Sequence, residues 1–261
     1  MKLPKSISEK LLYSTIRLEI ENSKATGFIF DYIGDNSNPV IVTNKHVIDQ
    51  MINSKEMKFH LHFVTEGQIS SQNLEVVLQT TWNEHKEHDL VSCELKPILE
   101  YVRAQGITPY YQSITVSHVP DQVQLDSLNA LEEVVMIGYP NGLWDEANNL
   151  PLIRKGFTAS HPAYDFKNSQ QGLSLNGYGV IDIAAFPGSS GSPIFILNES
   201  GYYDKNLGKF VNDGTRLIFL GILFKGPLFI QQSINQDHTP ILMNLGYYIK
   251  SYKLFDLFQK M

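Results

Sequence analysis

Apolar residues along this chain recur mostly at every second position, the spacing of half-buried strands. Ile16, Leu18 and Ile20 share one face of an extended segment over 13–20, and 59–64 alternates in the same way. With the β-branched runs, the pattern predicts strands over 13–20, 27–30, 40–42, 59–64, 74–78 and 90–95. That is about six, enough for one antiparallel barrel. The turn over 34–39 joins the second and third as a hairpin, and 46–51 reads as a short helical turn. Residues 96–111 read as a connection. Six further strands are predicted over 113–119, 133–139, 152–159, 179–184, 193–197 and 216–224. The tail departs from this period at greater length: Tyr248, Ile249, Tyr252, Phe255 and Phe258 stand near helical spacing, so 247–261 is expected to be an amphipathic helix. The mixed charges over 9–24 suggest a solvated lead into the first strand.

Composition narrows the class. The chain has 261 residues, 43% of them hydrophobic, enough for one large core or two smaller ones. Net charge is −6, and Lys and Arg are scattered, so no basic field draws nucleic acid or an anionic membrane. Cys93 is the sole cysteine, which excludes an intramolecular disulfide and suits a reducing compartment. No apolar stretch follows the first six residues and none approaches 18 residues, so neither a signal peptide nor a spanning helix is expected. These features point to a soluble, cytoplasmic protein.

Three short segments carry candidate chemistry. Pro187-Gly188-Ser189-Ser190-Gly191-Ser192-Pro193 encloses serines between glycines and prolines. Such a turn can expose a serine hydroxyl while its amides converge on one point. Taken alone it is equally a plain Gly/Ser/Pro loop. The run Val40-Ile41-Val42 delivers His46 to the edge of a core, where a lone histidine is more often structural. Asp89 opens the apolar stretch over 90–95, where a carboxylate needs a partner. A histidine N–H is suitable, and a surface turn is the plainer alternative.

Taken in the order His46, Asp89, Ser190, these segments resemble the chymotrypsin/trypsin-like serine peptidases. Thr43-Asn44-Lys45-His46-Val47, His88-Asp89-Leu90-Val91 and Gly188-Ser189-Ser190-Gly191-Ser192-Pro193 stand where that family carries its three motifs. Asp182-Ile183-Ala184-Ala185-Phe186-Pro187 is similar to the run before the serine in bacterial HtrA-like members. The resemblance spans roughly 15–249. It implies an all-β fold of two six-stranded antiparallel β-barrels with a C-terminal helix: 1–105 carrying His46 and Asp89, 106–246 carrying Ser190, and 247–261 the helix.

It further implies His46, Asp89 and Ser190 as a catalytic triad, with the amides of Gly188 and Ser190 as the oxyanion hole. Ala184 and Ala185 fall where the family lines its first specificity pocket, without an acid to hold Arg or Lys. Phe224, Lys225 and Gly226 fall on the strand that pairs with an extended substrate. Lys225 reads equally as a solvated edge lysine. Ser189 stands where zymogen-activated members place an aspartate, so activation by N-terminal cleavage is not expected. Ser192 replaces a family glycine.

No cofactor is expected. His60 with His62, and His85 with His88, have metal-ligand spacing, yet no further ligands complete a site. Two function classes remain open. One is a serine endopeptidase acting on polypeptides. The other is a catalytically silent or tightly regulated protease-fold module that binds a regulatory protein partner.

Overall fold

Ser6 and Glu9 cap the start of the chain reciprocally: Ser6 Oγ accepts from Glu9 N at 3.2 Å, and Glu9 Oε2 accepts from Ser6 N at 3.1 Å. They nucleate a helix, Ile7–Leu12, where the charge pattern suggested an extended, solvated lead. The solvated reading also fails at Arg17, which is only 4% exposed. The computed structural model describes all residues except 21–22, 35–37, 50–55, 233–237 and 259–261, and only the backbone of 228–232 and 238–242.

The first sheet runs, in spatial order, Met57–Thr65, Thr15–Ile20, Ser23–Asp31, Pro39–Thr43, Val91–Glu94 and Asn83–Glu84. Leu74–Leu78 pairs with Met57–Thr65 at one side, while Asn83–Glu84 pairs with Val91–Glu94 at the other. One stretch of chain, 74–84, therefore joins the two edges and wraps the sheet into a barrel. Its pairing is interrupted between Leu78 and Asn83. The second barrel closes fully: Glu133–Gly138, Leu152–Thr158, Tyr178–Asp182, Gly246–Lys250, Arg216–Lys225 and Pro193–Asn198.

Three apolar clusters result, and alternation assigns each residue to its own. Ile29 and Ile41 enter the first barrel, with Leu18, Phe59 and Cys93. Phe28, Phe30, Val40 and Val42, on the opposite face of the same two strands, pack between the barrels. From the second barrel, Phe195, Phe219, Ile222, Tyr247 and Ile249 meet them, and the rings of Phe28 and Phe219 lie edge to face at 5.3 Å. Ile194, Ile196, Leu220 and Tyr248 fill the second interior. Strands buried on both faces read as continuous apolar runs. This explains why 40–42 shows no polar alternation, and it couples the two halves of the site through an apolar interface.

Other differences from the sequence pattern have local causes. The connection after residue 95 contains a helix, Lys96–Ala104, with Pro97 in its first turn and Ile98, Leu99 and Val102 turned into the first core. Asp121 and Gln124 cap a further helix, Gln122–Ser127. The strand expected over 113–119 is only Ile114–Thr115, because His118 Nδ1 accepts from Thr115 N at 3.0 Å and turns the chain. The tail expected as a helix from 247 begins as the barrel strand Gly246–Lys250, buried throughout. Tyr247 and Ile249 face the inter-barrel cluster and Tyr248 the interior, a period of two that the aromatic spacing disguised. A 3₁₀ turn, Ser251–Leu254, and a short helix, Phe255–Phe258, follow. The part of the expected helix over 259–261, the turn over 35–37 and the end of the helical turn over 50–51 lie outside the described residues. Among the described residues no helix is long and apolar enough to cross a membrane.

Burial also sets an acid limit. His62 is 5% exposed, its ring 4.8 Å from that of Tyr13, and desolvation lowers its pKa to about 4. Burial lowers His60, His88 and His118 in the same direction. Below the ordinary histidine value of about 6.5, the unfolded chain takes up protons that the folded chain refuses. Stability is therefore complete above that value and lost as pH falls toward 4. His62 alone is expected to contribute on the order of 3 kcal/mol across this window. Urea unfolding at pH 7, 5.5 and 4.5 should show the decline, and His62→Phe should flatten it. An unchanged slope in His62→Phe would contradict the assignment.

Candidate active site

The strand Pro39–Thr43 ends at Asn44, which begins a four-residue helix, Lys45–Ile48. That step presents both the backbone and the ring of His46 to Asp89. Asp89 Oδ1 accepts from His46 N at 2.9 Å, and Oδ2 lies 2.5 Å from Nδ1. Both carboxylate oxygens are thus engaged by one residue. The contact places the proton on Nδ1 and leaves the Nε2 lone pair toward Ser190 Oγ, 2.9 Å away. Asn44 Nδ2 donates to Asp89 O at 2.8 Å, so a fully buried amide holds the aspartate's backbone as well.

Asp89 stands at the end of a turn built by histidines. His85 Nδ1 accepts from the amides of Glu87 and His88, each at 3.0 Å. His88 Nε2 donates to Asn176 O at 2.9 Å and His85 Nε2 faces Asp256 Oδ2 at 3.3 Å, tying the turn to the second half of the chain. The pair's spacing therefore serves the turn. Glu84, a nearby acid, is engaged instead by Lys45.

The serine turn is fixed almost atom by atom. Pro187 O accepts from Asn141 N at 2.6 Å, Gly188 O from Thr26 Oγ1 at 2.8 Å, Ser189 O from Ser192 N at 3.0 Å, and Ser190 O from Thr26 N at 3.0 Å. The amides of Ser189 and Gly191 are taken by Phe186 O and Leu223 O. Among the described residues, the amides of Gly188 and Ser190 have no acceptor. A planar trans peptide points its N–H opposite its C=O. Anchoring the carbonyls of Pro187 and Ser189 therefore aims those two free amides away from the anchors. Gly188 adopts φ +80°, and a Cβ there would come within 2.6 Å of Tyr139 O. Gly191 adopts φ +86°, and its Cβ would meet Thr26 O at 1.9 Å. Both positions exclude a side chain on two counts.

Thr26, fully buried in the first barrel, is the peg of this arrangement. Its hydroxyl donates to Gly188 O and accepts from Tyr139 N, and its carbonyl accepts from Thr43 Oγ1 at 2.8 Å. Ser192 is fully buried against Gly138, where a Cβ would stand 2.1 Å from Ser192 Oγ, so the glycine leaves open the space that the serine side chain fills.

Two hollows flank Ser190. One, of about 240 Å³, is lined by Ala185, Phe186, Pro187, Leu223, Phe224 and Gly226, with Lys225 at its edge. Among the described residues, no Asp or Glu lines it. Gly226 is required there, since a Cβ would stand 2.8 Å from that of Ala185. Lys225 Nζ reaches toward Gln171 O at 3.4 Å. Ala184, grouped with these residues from sequence, does not line the hollow. Its carbonyl is held by Arg154 Nη1 at 2.5 Å, because the strand ends at Asp182 and the chain turns before Ala185. The second hollow, of about 580 Å³, lies along Ser23, Lys24, His46, Gly142 and Gly188. Together they form an open groove with Ser190 at its middle.

His60 gathers with Glu19 and Glu75, their ligand atoms within 4.8 Å of one another. The guanidinium of Arg17, which can only donate, stands 3.1 Å from His60 Nδ1, and Asn73 Nδ2 stands 2.7 Å from it. Nδ1 is therefore the acceptor and Nε2 carries the proton, 3.4 Å from Glu19 Oε1. With Arg17 Nε also 3.3 Å from Glu19, the group forms an ion-pair network.

Sequence reasoning missed Thr26, Asn44, Asn141 and Arg154. Asn44 carried a signal, an Asn at a helix start. Thr26 carried only its polarity between Ala25 and Gly27, and the other two carried none.

No protein-family model matches the sequence, and no curated protein matches it. Solved structures do. The HtrA-type protease AlgW, bound to a tripeptide, aligns with a TM-score of 0.51 at 14% identity, covering 95% of this chain and 60% of that chain. The MamO protease domain from Magnetospirillum magneticum, in its apo form, aligns with a TM-score of 0.50 at 13% identity, covering 95% of this chain and 97% of that one. With its two barrels packed face to face and the His46 and Ser190 segments meeting between them, the chain has the chymotrypsin-like fold of the trypsin-like serine peptidases.

Proposed function

We propose that this chain is a serine endopeptidase. One observation supports the reading above all: with the carbonyls from Pro187 to Ser190 and the amides of Ser189 and Gly191 taken up, the amides of Gly188 and Ser190 have no acceptor among the described residues, beside a hydroxyl paired to His46. Both residues line the open groove, so the two donors stand where an incoming carbonyl oxygen can reach them.

In this mechanism Ser190 Oγ attacks the scissile carbonyl carbon, and its proton passes to His46 Nε2. The carbonyl oxygen becomes an oxyanion held by the two free amides. Asp89 keeps the imidazole oriented and stabilises its protonated form. Collapse of the intermediate breaks the C–N bond, and His46 returns the proton to the departing amine. Water, deprotonated by His46, then attacks the acyl ester and releases Ser190. The open groove on both sides of Ser190 suits an extended polypeptide better than a small molecule. AlgW, similar in fold, was solved with a peptide bound.

The 240 Å³ hollow is the pocket for the residue before the scissile bond, through Ala185, Phe224 and Gly226. With no carboxylate among the described residues of its lining, a buried Arg or Lys side chain would stay uncompensated. Cleavage of a synthetic peptide library is expected after uncharged, apolar residues of modest size. Dominant cleavage after Arg or Lys would overturn the pocket assignment alone. No cleavage of any peptide, with no phosphonofluoridate adduct on Ser190 by intact mass, would overturn the endopeptidase reading and favour the silent module.

A further inference from the structure

Arg154 lies in the middle of Leu152–Thr158, opposite Met136, and reaches across to the segment that precedes Ser190. Its Nη1 donates to Ala184 O at 2.5 Å and its Nη2 to Ser189 Oγ at 2.8 Å. The guanidinium carbon stands 5.6 Å from the Phe186 ring centre. One side chain therefore grips three of the six residues leading to the nucleophile. The last of them, Ser189, is fully buried and shares a peptide bond with Ser190.

The charge of Arg154 is the unusual part. Among the described residues, no carboxylate lies within ion-pair distance of it. Desolvation alone accounts for the lowering of its pKa. Holding a partly buried guanidinium without an anion is costly, and an apolar side chain would fill the same space more cheaply. What an apolar residue cannot do is donate two hydrogen bonds in a fixed fork to two points of one loop. Ser189 fits this arrangement, because a hydroxyl accepts from the guanidinium with no charge of its own.

We infer that Arg154 is the positioning residue of the oxyanion turn. It clamps Ala184 and Ser189 so that the amides of Gly188 and Ser190 stay converged without any prior cleavage of the chain. The inference rests on the endopeptidase reading. Two further anchors hold the same turn from other directions, Thr26 on Gly188 O and Asn141 on Pro187 O. Arg154 holds the side that neither of them reaches. Loss of its grip leaves the triad in place and loosens the donors that act on the transition state. It should therefore lower kcat more than it raises KM.

The test uses the full chain and a peptide that the wild type cleaves. Arg154→Met is expected to lower kcat about 10²-fold, the scale of a misplacement near 1 Å, with KM changed less than threefold. Arg154→Lys keeps the charge but has a single point donor, and should recover only part of the loss. Arg154→Gly should regain activity when ethylguanidinium is added, and not when ethylammonium is. A folded Arg154→Met variant with kcat within threefold of wild type overturns the inference. So does a loss appearing wholly in KM. Should Arg154→Met fail to fold, Arg154→Lys decides: full kcat overturns the clamp, and a reduced kcat at unchanged KM supports it. A wild type that neither cleaves peptides nor takes up phosphonofluoridate at Ser190 refutes the endopeptidase reading instead, so the two failures are distinct.

Discussion

Ser190→Ala is expected to abolish peptide hydrolysis while leaving the fold intact. The side chain makes one hydrogen bond, to His46 Nε2 at 2.9 Å, whereas the turn is held through backbone carbonyls and amides that alanine retains. Thermal unfolding should stay close to wild type. The loss in kcat should be about 10⁶-fold where chemistry limits, because among the described residues Ser190 Oγ is the hydroxyl paired with His46 Nε2. Steady-state turnover on a library-derived peptide, with active-site labelling to exclude contaminants, measures it. Activity within tenfold of wild type would sink the assignment of Ser190.

Asp89→Asn is the second large effect, about 10⁴-fold in kcat. The carboxylate accepts twice from His46, at the backbone N and at Nδ1. An amide has one acceptor and one donor. If its oxygen keeps the backbone bond, its NH₂ faces Nδ1 and forces the proton onto Nε2. That nitrogen then cannot take the proton of Ser190. His46→Ala should be comparably severe, and neither change should add much to Ser190→Ala, since the three groups act as a unit. A mild Asp89→Asn phenotype would mean that another acid orients the imidazole. Glu84 is engaged by Lys45, which leaves Glu87 as the acid to mutate next.

How much was legible beforehand can be judged residue by residue. The strands around His46 were visible because a run buried on both faces is apolar throughout, as in Val40-Ile41-Val42. The helix Ile7–Leu12 was readable in principle from the Ser6–Glu9 capping pair, but the neighbouring charges masked it. Lys96–Ala104 carried Pro97 and the helical spacing of Ile98, Leu99 and Val102, and was passed over as a connection. The strand Gly246–Lys250 was misread because aromatic residues there suit either period over so few positions. Its strand character follows from a barrel that needs a sixth member between Tyr178–Asp182 and Arg216–Lys225.

The amino-acid sequence by itself determined which groups could act. It supplied a serine between glycines, a histidine after a buried run, an aspartate at the mouth of another, and no acid beside Ala185. These are properties of residue type and local spacing. Only the tertiary structure decided what those groups do to one another. The 2.5 and 2.9 Å contacts at His46 join residues 43 and 144 positions apart in the chain, and no local pattern sets a distance across such a gap. The same holds for Thr26 on Gly188, Asn141 on Pro187 and Arg154 on Ser189. Within one barrel such a bond depends on how its strands close, and for His46 with Ser190 and Thr26 with Gly188 it depends on where the two barrels come to rest. That is set by the packing of Phe28, Phe30, Phe195 and Phe219 between them.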